Sequence, residues 1–238
     1  MDSIEFSSKA LPIISDIHGN SQGLVQVLDH IIKLGIKNPP LILGDLVWHE
    51  WDDYNSSKVL DILLKTPLFG VVAGNTDQWL LNGRLEEWNP TNKIDSLVKS
   101  RIIEWRDSCS KEHLTFLKNL PSEISFNYCG CEVLAVHASP LDSNLGILPS
   151  LSKEEKIKRL VGKNKGLLLS GHLHQSFTQN IGELEHISIG PVGRHPYEYN
   201  GIIQYSILDQ TSNGIVSYQF SISQESHPKT ISYPIGNN

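Results

Sequence analysis

No stretch of the chain is long and apolar enough to span a bilayer, and residues 1–10 show neither the basic start nor the apolar core of a secretory leader. A soluble, cytoplasmic protein without a membrane partner is expected. Cysteine is scarce and odd in number, three in all, with Cys129 and Cys131 flanking Gly130 in what reads as a tight hairpin turn. That count speaks against a disulfide scaffold, and a metal knuckle on the Cys-x-Cys pair would want a second pair nearby, which is missing. Basic charge is short as well: 20 Lys and Arg against 26 Asp and Glu give a net charge of -6 and a pI near 5.9. A nucleic-acid partner is therefore not expected, because neutralising a phosphate backbone takes a basic field. A small phosphorylated substrate is compatible with this charge, and self-association stays open. Internal repeats and low-complexity tracts are absent too. What remains is 238 residues with 39% hydrophobic and 19% charged content, enough to bury one substantial core, so residues 1–238 are expected to form one domain.

The apolar pattern supplies the order of elements. Leu11 to Ser15 reads as a strand running into Asp16, and Leu24, Leu28, Ile31 and Ile32 then recur at helical spacing before Gly35. The unit repeats with a strand at Leu41 to Leu43, a helix over Ser56 to Lys65 and a strand from Leu68 to Ala73. Alternation of this kind implies a largely parallel sheet with right-handed crossovers, an α/β fold. From Trp79 to Asp107 the rhythm breaks, and residues 79–107 are expected to be a helical excursion or lid over one end of the sheet. A helix near Lys111 to Asn119 precedes a hairpin, Ile124 to Tyr128 and Glu132 to Val136, that delivers His137. Ser152 to Leu160 reads as helix and Gly166 to Ser170 as a buried strand. Beyond Gln175, segments near His186 to Ile189, Ile202 to Leu208 and Ile215 to Ile222 predict a second, mostly antiparallel sheet. Residues 224–238 read as a loose tail.

The residues able to hold metal fall at regular places in this pattern. Asp16 and His18, Asp45, Asn75, His137, and His172 with His174 each follow an apolar strand-like run. In open α/β sheets the edge outside the strand carboxyl ends is the usual ligand site. The i, i+2 spacing of Asp16/His18 and His172/His174 would point both members of a pair the same way in extended backbone. Gly19, Gly44, Gly74 and Gly171 stand beside them, where sharp turns and close backbone approach are needed. One such segment alone is usually a turn or a cap; five in a regular strand-end pattern point to a metal centre.

The blocks Asp16-Ile17-His18-Gly19-Asn20, Gly44-Asp45-Leu46-Val47, Gly74-Asn75-Thr76-Asp77, His137-Ala138-Ser139-Pro140 and Gly171-His172-Leu173-His174 resemble, in order and spacing, the signature of calcineurin-like metallophosphoesterases, above all their small bacterial and archaeal phosphodiesterase-like branch. The resemblance covers roughly Leu11 to Asp209. It implies a four-layer αββα sandwich with two central mixed β-sheets flanked by helices. It also implies Asp16, His18 and His174 on one metal, Asn75, His137 and His172 on the other, and Asp45 bridging, with Asp45, Asn75 and His137 counted as catalytic. Nitrogen and oxygen ligands without thiolate suit two divalent transition-metal ions, manganese first, with iron, zinc, nickel or cobalt as alternatives. The implied reaction is hydrolysis of a phosphodiester or phosphomonoester by a metal-bridging hydroxide, without a covalent enzyme intermediate. The alternative is a non-catalytic protein-binding scaffold of the same fold.

One position departs from the resemblance: many members carry histidine where this chain has Thr76, which can donate a hydrogen bond but cannot act as an acid near neutral pH. Asp77 beside it reads as a cap of the next helix. Candidate substrate contacts are Asn20, Thr76, His49, Arg194 and His195, and Trp48 with Trp51 could wall a nucleobase or aryl group.

Overall fold

The computed structural model describes residues 5–48, 55–193, 201–212 and 214–223. The first sheet begins with β1 (Leu11–Ile14), which the helix α1 (Ser21–Lys33) follows; β2 (Leu41–Ile42), α2 (Ser56–Lys65) and β3 (Gly70–Val71) continue the unit. Both helices start where an asparagine side chain satisfies a free backbone N–H: Asn20 accepts from Gly23 at 2.9 Å and Asn55 from Lys58 at 2.8 Å. Next come α3 (Asn75–Trp79), α4 (Arg84–Glu87), α5 (Lys93–Ser108) and α6 (Lys111–Lys118). The hairpin β4 (Glu123–Tyr128) and β5 (Cys131–Val136) turns at Cys129 and Gly130, whose φ values of 53° and 86° match the right-handed strand twist. Then follow α7 (Lys153–Leu160), β6 (Lys165–Ser170), β7 (Phe177–Ile181), β8 (Glu183–Ser188), β9 (Ile202–Thr211) and β10 (Gly214–Ser223).

Two five-stranded mixed sheets result, in the orders β10-β9-β1-β2-β3 and β4-β5-β6-β8-β7. Strand alternation divides the core into three. Ile13 and Leu41 face Val133, Ala135, Leu167 and Leu169 between the sheets. Their neighbours Ile14 and Ile42 face Leu24, Val27, Val59 and Leu60 of α1 and α2. Leu134, Val136 and Leu168 turn the other way, onto Leu160 of α7. The protein is thus the expected αββα sandwich, each inner strand carrying apolar residues on both faces because both are covered.

The strands after residue 175 do not make a sheet of their own. β9 pairs antiparallel with β1, Leu11 opposite Leu208, whereas β8 pairs parallel with β6, Leu167 opposite Glu185. The physical reason is that β1 and β6 each have an edge left open by their parallel neighbour, and unpaired backbone groups in a buried strand are costly. β7 went unread because it is short and polar at three consecutive residues, Thr178, Gln179 and Asn180, so no apolar alternation marks it. The excursion at residues 79–107 is docked: Leu85, Val98, Ile102 and Trp105 join the core of α1 and α2, and the Trp105 indole donates to Ser57 Oγ at 2.8 Å. The expected tail, residues 224–238, lies outside the described residues.

Candidate metal centre

Loops at the carboxyl ends of the central strands bring the metal-capable residues together, by a backbone route other than extended i, i+2 spacing. Asp16, His18, Asp45, His172 and His174 all have positive φ, between 46° and 65°. A left-handed turn at each residue swings its side chain inward over the sheet edge, and each costs about 1–3 kcal/mol unless the surroundings fix it. Here they do. Asp16 N donates to Gly44 O at 3.1 Å, His18 N to Asp45 O at 2.9 Å, and Gly193 N to Asp16 O at 2.7 Å, so neighbouring loops hold one another. Two glycines let the loops close up: a Cβ on Gly74 would collide with Asp45, and one on Gly171 with Ser15 Oγ and Asp16 Oδ2.

Two groups of three result, Asp16/His18/His174 and Asp45/His137/His172, each with its ligand atoms within 4.8 Å of one another. In the first, His18 Nε2 is 3.1 Å from His174 Nε2, and His174 Nε2 is 3.5 Å from Asp16 Oδ1. In the second, Asn75 Oδ1 stands 3.0 Å from His137 Nε2 and 2.9 Å from His172 Nδ1. Asp45 Oδ2 lies between the groups, 3.5 Å from His18 Nε2 and 3.3 Å from His137 Nε2. All seven residues expected from the sequence therefore meet at one end of the sandwich. His137 Nδ1 donates to Leu43 O at 2.7 Å, which turns Nε2 toward the cluster.

The electrostatics are those of donors gathered without enough protons. Burial pushes the His18 imidazole down to about 4 despite Asp45 nearby. Burial would also lower His137, but the facing Asp45 carboxylate overrides it and raises the ring to about 9. Burial would raise Asp45, and His137 instead draws it well below the usual carboxylate range. His172 is lowered by burial and by His137. Imidazole and oxygen lone pairs converging at these distances, with no thiolate, fit divalent cations of intermediate hardness.

Two candidate substrate contacts have other work. Asn20 caps α1 and donates through Nδ2 to Val192 O at 2.8 Å, tying the helix start to the loop after β8. The Thr76 hydroxyl, buried, donates to Asp45 Oδ1 at 2.8 Å, and Thr76 N donates to the same oxygen at 2.9 Å. Oδ1 is thereby occupied, and Oδ2 is the atom left facing both groups. Trp48 is buried, its ring 5.4 Å from Trp79 and 6.0 Å from Trp88, so it packs in the core. His49, Trp51, Arg194 and His195 lie outside the described residues. The reading of Asp77 as a cap was too narrow. Its carboxylate accepts from Gly74 N at 2.9 Å, closing the first turn of α3, and also from Leu46 N at 2.9 Å and Val47 N at 3.3 Å. It clamps the Asp45 loop to the Asn75 loop, and burial beside Asp45 raises it to about 7.

A sequence model for the calcineurin-like phosphoesterase superfamily domain matches residues 10–212. The uncharacterized protein MJ0912 of Methanocaldococcus jannaschii is 32% identical over 131 residues, covering 55% of this chain and 49% of that protein. The match thus spans about half the length of that curated relative. Among solved structures, hypothetical protein PH1004 from Pyrococcus horikoshii OT3 has a TM-score of 0.69 at 17% identity, covering 88% of this chain and 87% of that one. A metallophosphoesterase from Sphaerobacter thermophilus has a TM-score of 0.63 at 17% identity, covering 90% and 88%. At such identity the two structures speak for the fold.

Proposed function

The chain belongs to the calcineurin-like phosphoesterase superfamily, and from that premise we propose that it hydrolyses a phosphoester bond of a small molecule, with one divalent ion held by Asp16, His18 and His174, a second by Asn75, His137 and His172, and Asp45 across both. The observation that carries this reading is the position of Asp45 Oδ2 between the two ligand groups, 3.5 Å and 3.3 Å from a histidine of each. When bound, such ions supply positive charge for phosphate oxygens and lower the pKa of water to the neutral range. The chain's own residues do the rest. Leu43 O fixes the tautomer of His137, Thr76 fixes the rotation of Asp45, and the cross-tied loops keep the ligand atoms in place before substrate arrives.

Thr76 spends its hydroxyl on Asp45, so this side chain does not deliver a proton to the departing oxygen. Rates should therefore depend steeply on leaving-group pKa. Manganese is the first ion to try. A cytoplasmic setting belongs to the same proposal, supported by three cysteines, Cys109, Cys129 and Cys131, that are not in disulfides. No helix among the described residues is long and apolar enough to cross a membrane.

The test is hydrolysis of an aryl phosphodiester and its monoester counterpart by purified protein with added Mn²⁺. Activity lost to a chelator and restored by metal is the expected result. Two bound ions with no turnover of either ester would favour the binding scaffold.

A further inference from the structure

Beside the ligand groups lies a cavity of about 350 Å³ that none of the steps above uses. It shares His137 with the second group. Its lining includes Gln78, Asn82 and Arg84, from α3, α4 and the turn between them, and Asp142 and Asn144 from the loop after β5. A phosphoester seated on the ligand groups would have room here for the organic group it carries.

The lining decides what that group is. Apart from His137, which faces Asp45, the charged side chains are Arg84 against Glu123 and Asp142, a balance that does not favour a second anionic group. The hydrogen bonds of Asn144 to Asp142, side chain and backbone, hold that carboxyl below its usual range, so Asp142 is an acceptor and not a proton donor at neutral pH. The lining aromatic ring, Trp79, is packed edge-on against Trp48 at 5.4 Å and 75°, so a stacking slot for a nucleobase is not built from it. Amides and hydroxyls supply most of what remains. Ser143 Oγ donates to Gln78 Oε1 at 3.0 Å, turning the Gln78 amide NH₂ away as a donor. Asn82, Ser122 and Ser139 add further amides and hydroxyls to the lining. Amides and hydroxyls set donors and acceptors side by side, and that matches a ligand hydroxyl, which both gives and receives.

We propose that this cavity binds a neutral, hydroxyl-rich group, a sugar or polyol, carried by the phosphoester. The proposal rests on the phosphoesterase reading for the phosphate itself and concerns recognition alone; no bond is made or broken in the cavity.

The experiment is calorimetric titration of Mn²⁺-loaded protein with non-hydrolysable phosphonates: a hexose 6-phosphonate, phenylphosphonate and a carboxylated phosphonate. The hexose compound should bind about tenfold more tightly than either competitor, the yield of one or two well-made hydrogen bonds. Asn144→Leu and Gln78→Leu should each bring that ratio down toward one. Asn82→Ala, at an exposed position, should lower it in the same direction with no cost in folding. Tighter binding of the phenyl or carboxylated compound, or an unchanged ratio in all three variants, would overturn the proposal. A hexose preference that persists in a protein with no esterase turnover would leave the cavity assigned and sink only the phosphoesterase reading.

Discussion

At the candidate metal centre, five of the seven candidate ligands rise from left-handed backbone, and each of those loops is hydrogen-bonded to its neighbours. In the cavity beside it, none of the side chains used above for recognition has positive φ, and the walls come from short helices, the loop after β5 and the ends of β4 and β5. His137 belongs to both regions. The contrast teaches where strain is spent. Reacting atoms need placement to a fraction of an ångström, and the fold accepts several costly turns to give it. Recognition of a flexible organic group tolerates looser walls.

Changing the most constrained atom should break the comparison hardest. Asp45→Asn keeps the shape but removes the charge facing His18 and His137. Turnover of an aryl phosphate should fall by at least about 10³-fold, whereas phosphonate selectivity in the cavity should survive wherever binding can still be measured. A near-native rate would show that Asp45 is not shared.

A smaller effect is expected one bond further out. Thr76→Val removes the hydroxyl from Asp45 Oδ1 but keeps the Thr76 N–H on it. Losses of this kind cost roughly 10–100-fold in metal affinity, to be read by competition with a chromogenic chelator. Thr76→Ser, retaining the hydroxyl, should recover most of it. Equal losses in both variants would make packing, and not the hydrogen bond, the contribution of Thr76.

The smallest effect on catalysis should come from His186, a buried imidazole remote from this chemistry in the sequence pattern. It contacts Ser170 Oγ at 2.8 Å and Gln179 Nε2 at 3.0 Å, and burial, helped by Lys156, lowers it to about 4. Above about pH 6.5 the ring is neutral in folded and unfolded chains alike. As pH falls from there toward 4, the unfolded chain takes up a proton that the folded one refuses. Stability is therefore lost in that window, by up to about 3 kcal/mol. His186→Gln, compared with the parent in urea unfolding of metal-free protein at pH 7 and pH 5, should flatten part of this fall. An unchanged pH dependence would show that the ring is not what titrates.

Legibility followed the same divide. Asp16, His18, Asp45, Asn75, His137, His172 and His174 were readable because each sits directly after an apolar strand, and sheet topology alone carries strand ends to one edge. The left-handed backbone that turns them inward was not, since aspartate and histidine do not announce positive φ as glycine does. The strand partners of β8 and β9 were hidden for a related reason: period-2 alternation marks a strand but carries no label for its sheet. Thr76 looked like a lost proton donor, because its contact with Asp45 spans 31 residues of sequence. The cavity had no signal at all, its walls being ordinary polar residues from segments far apart in the chain.

Whether Asp45 would help to hold two ions is tested most directly by metal analysis combined with anomalous diffraction at the Mn edge, on the parent and on His137→Ala, His174→Ala and Asp45→Asn. The account predicts two ions per chain in the parent. Loss of His137 should deplete the ion beside Asn75 and His172, loss of His174 the ion beside Asp16 and His18, and Asp45→Asn should weaken both. A single ion in the parent, or depletion of the same site by both histidine variants, would contradict it.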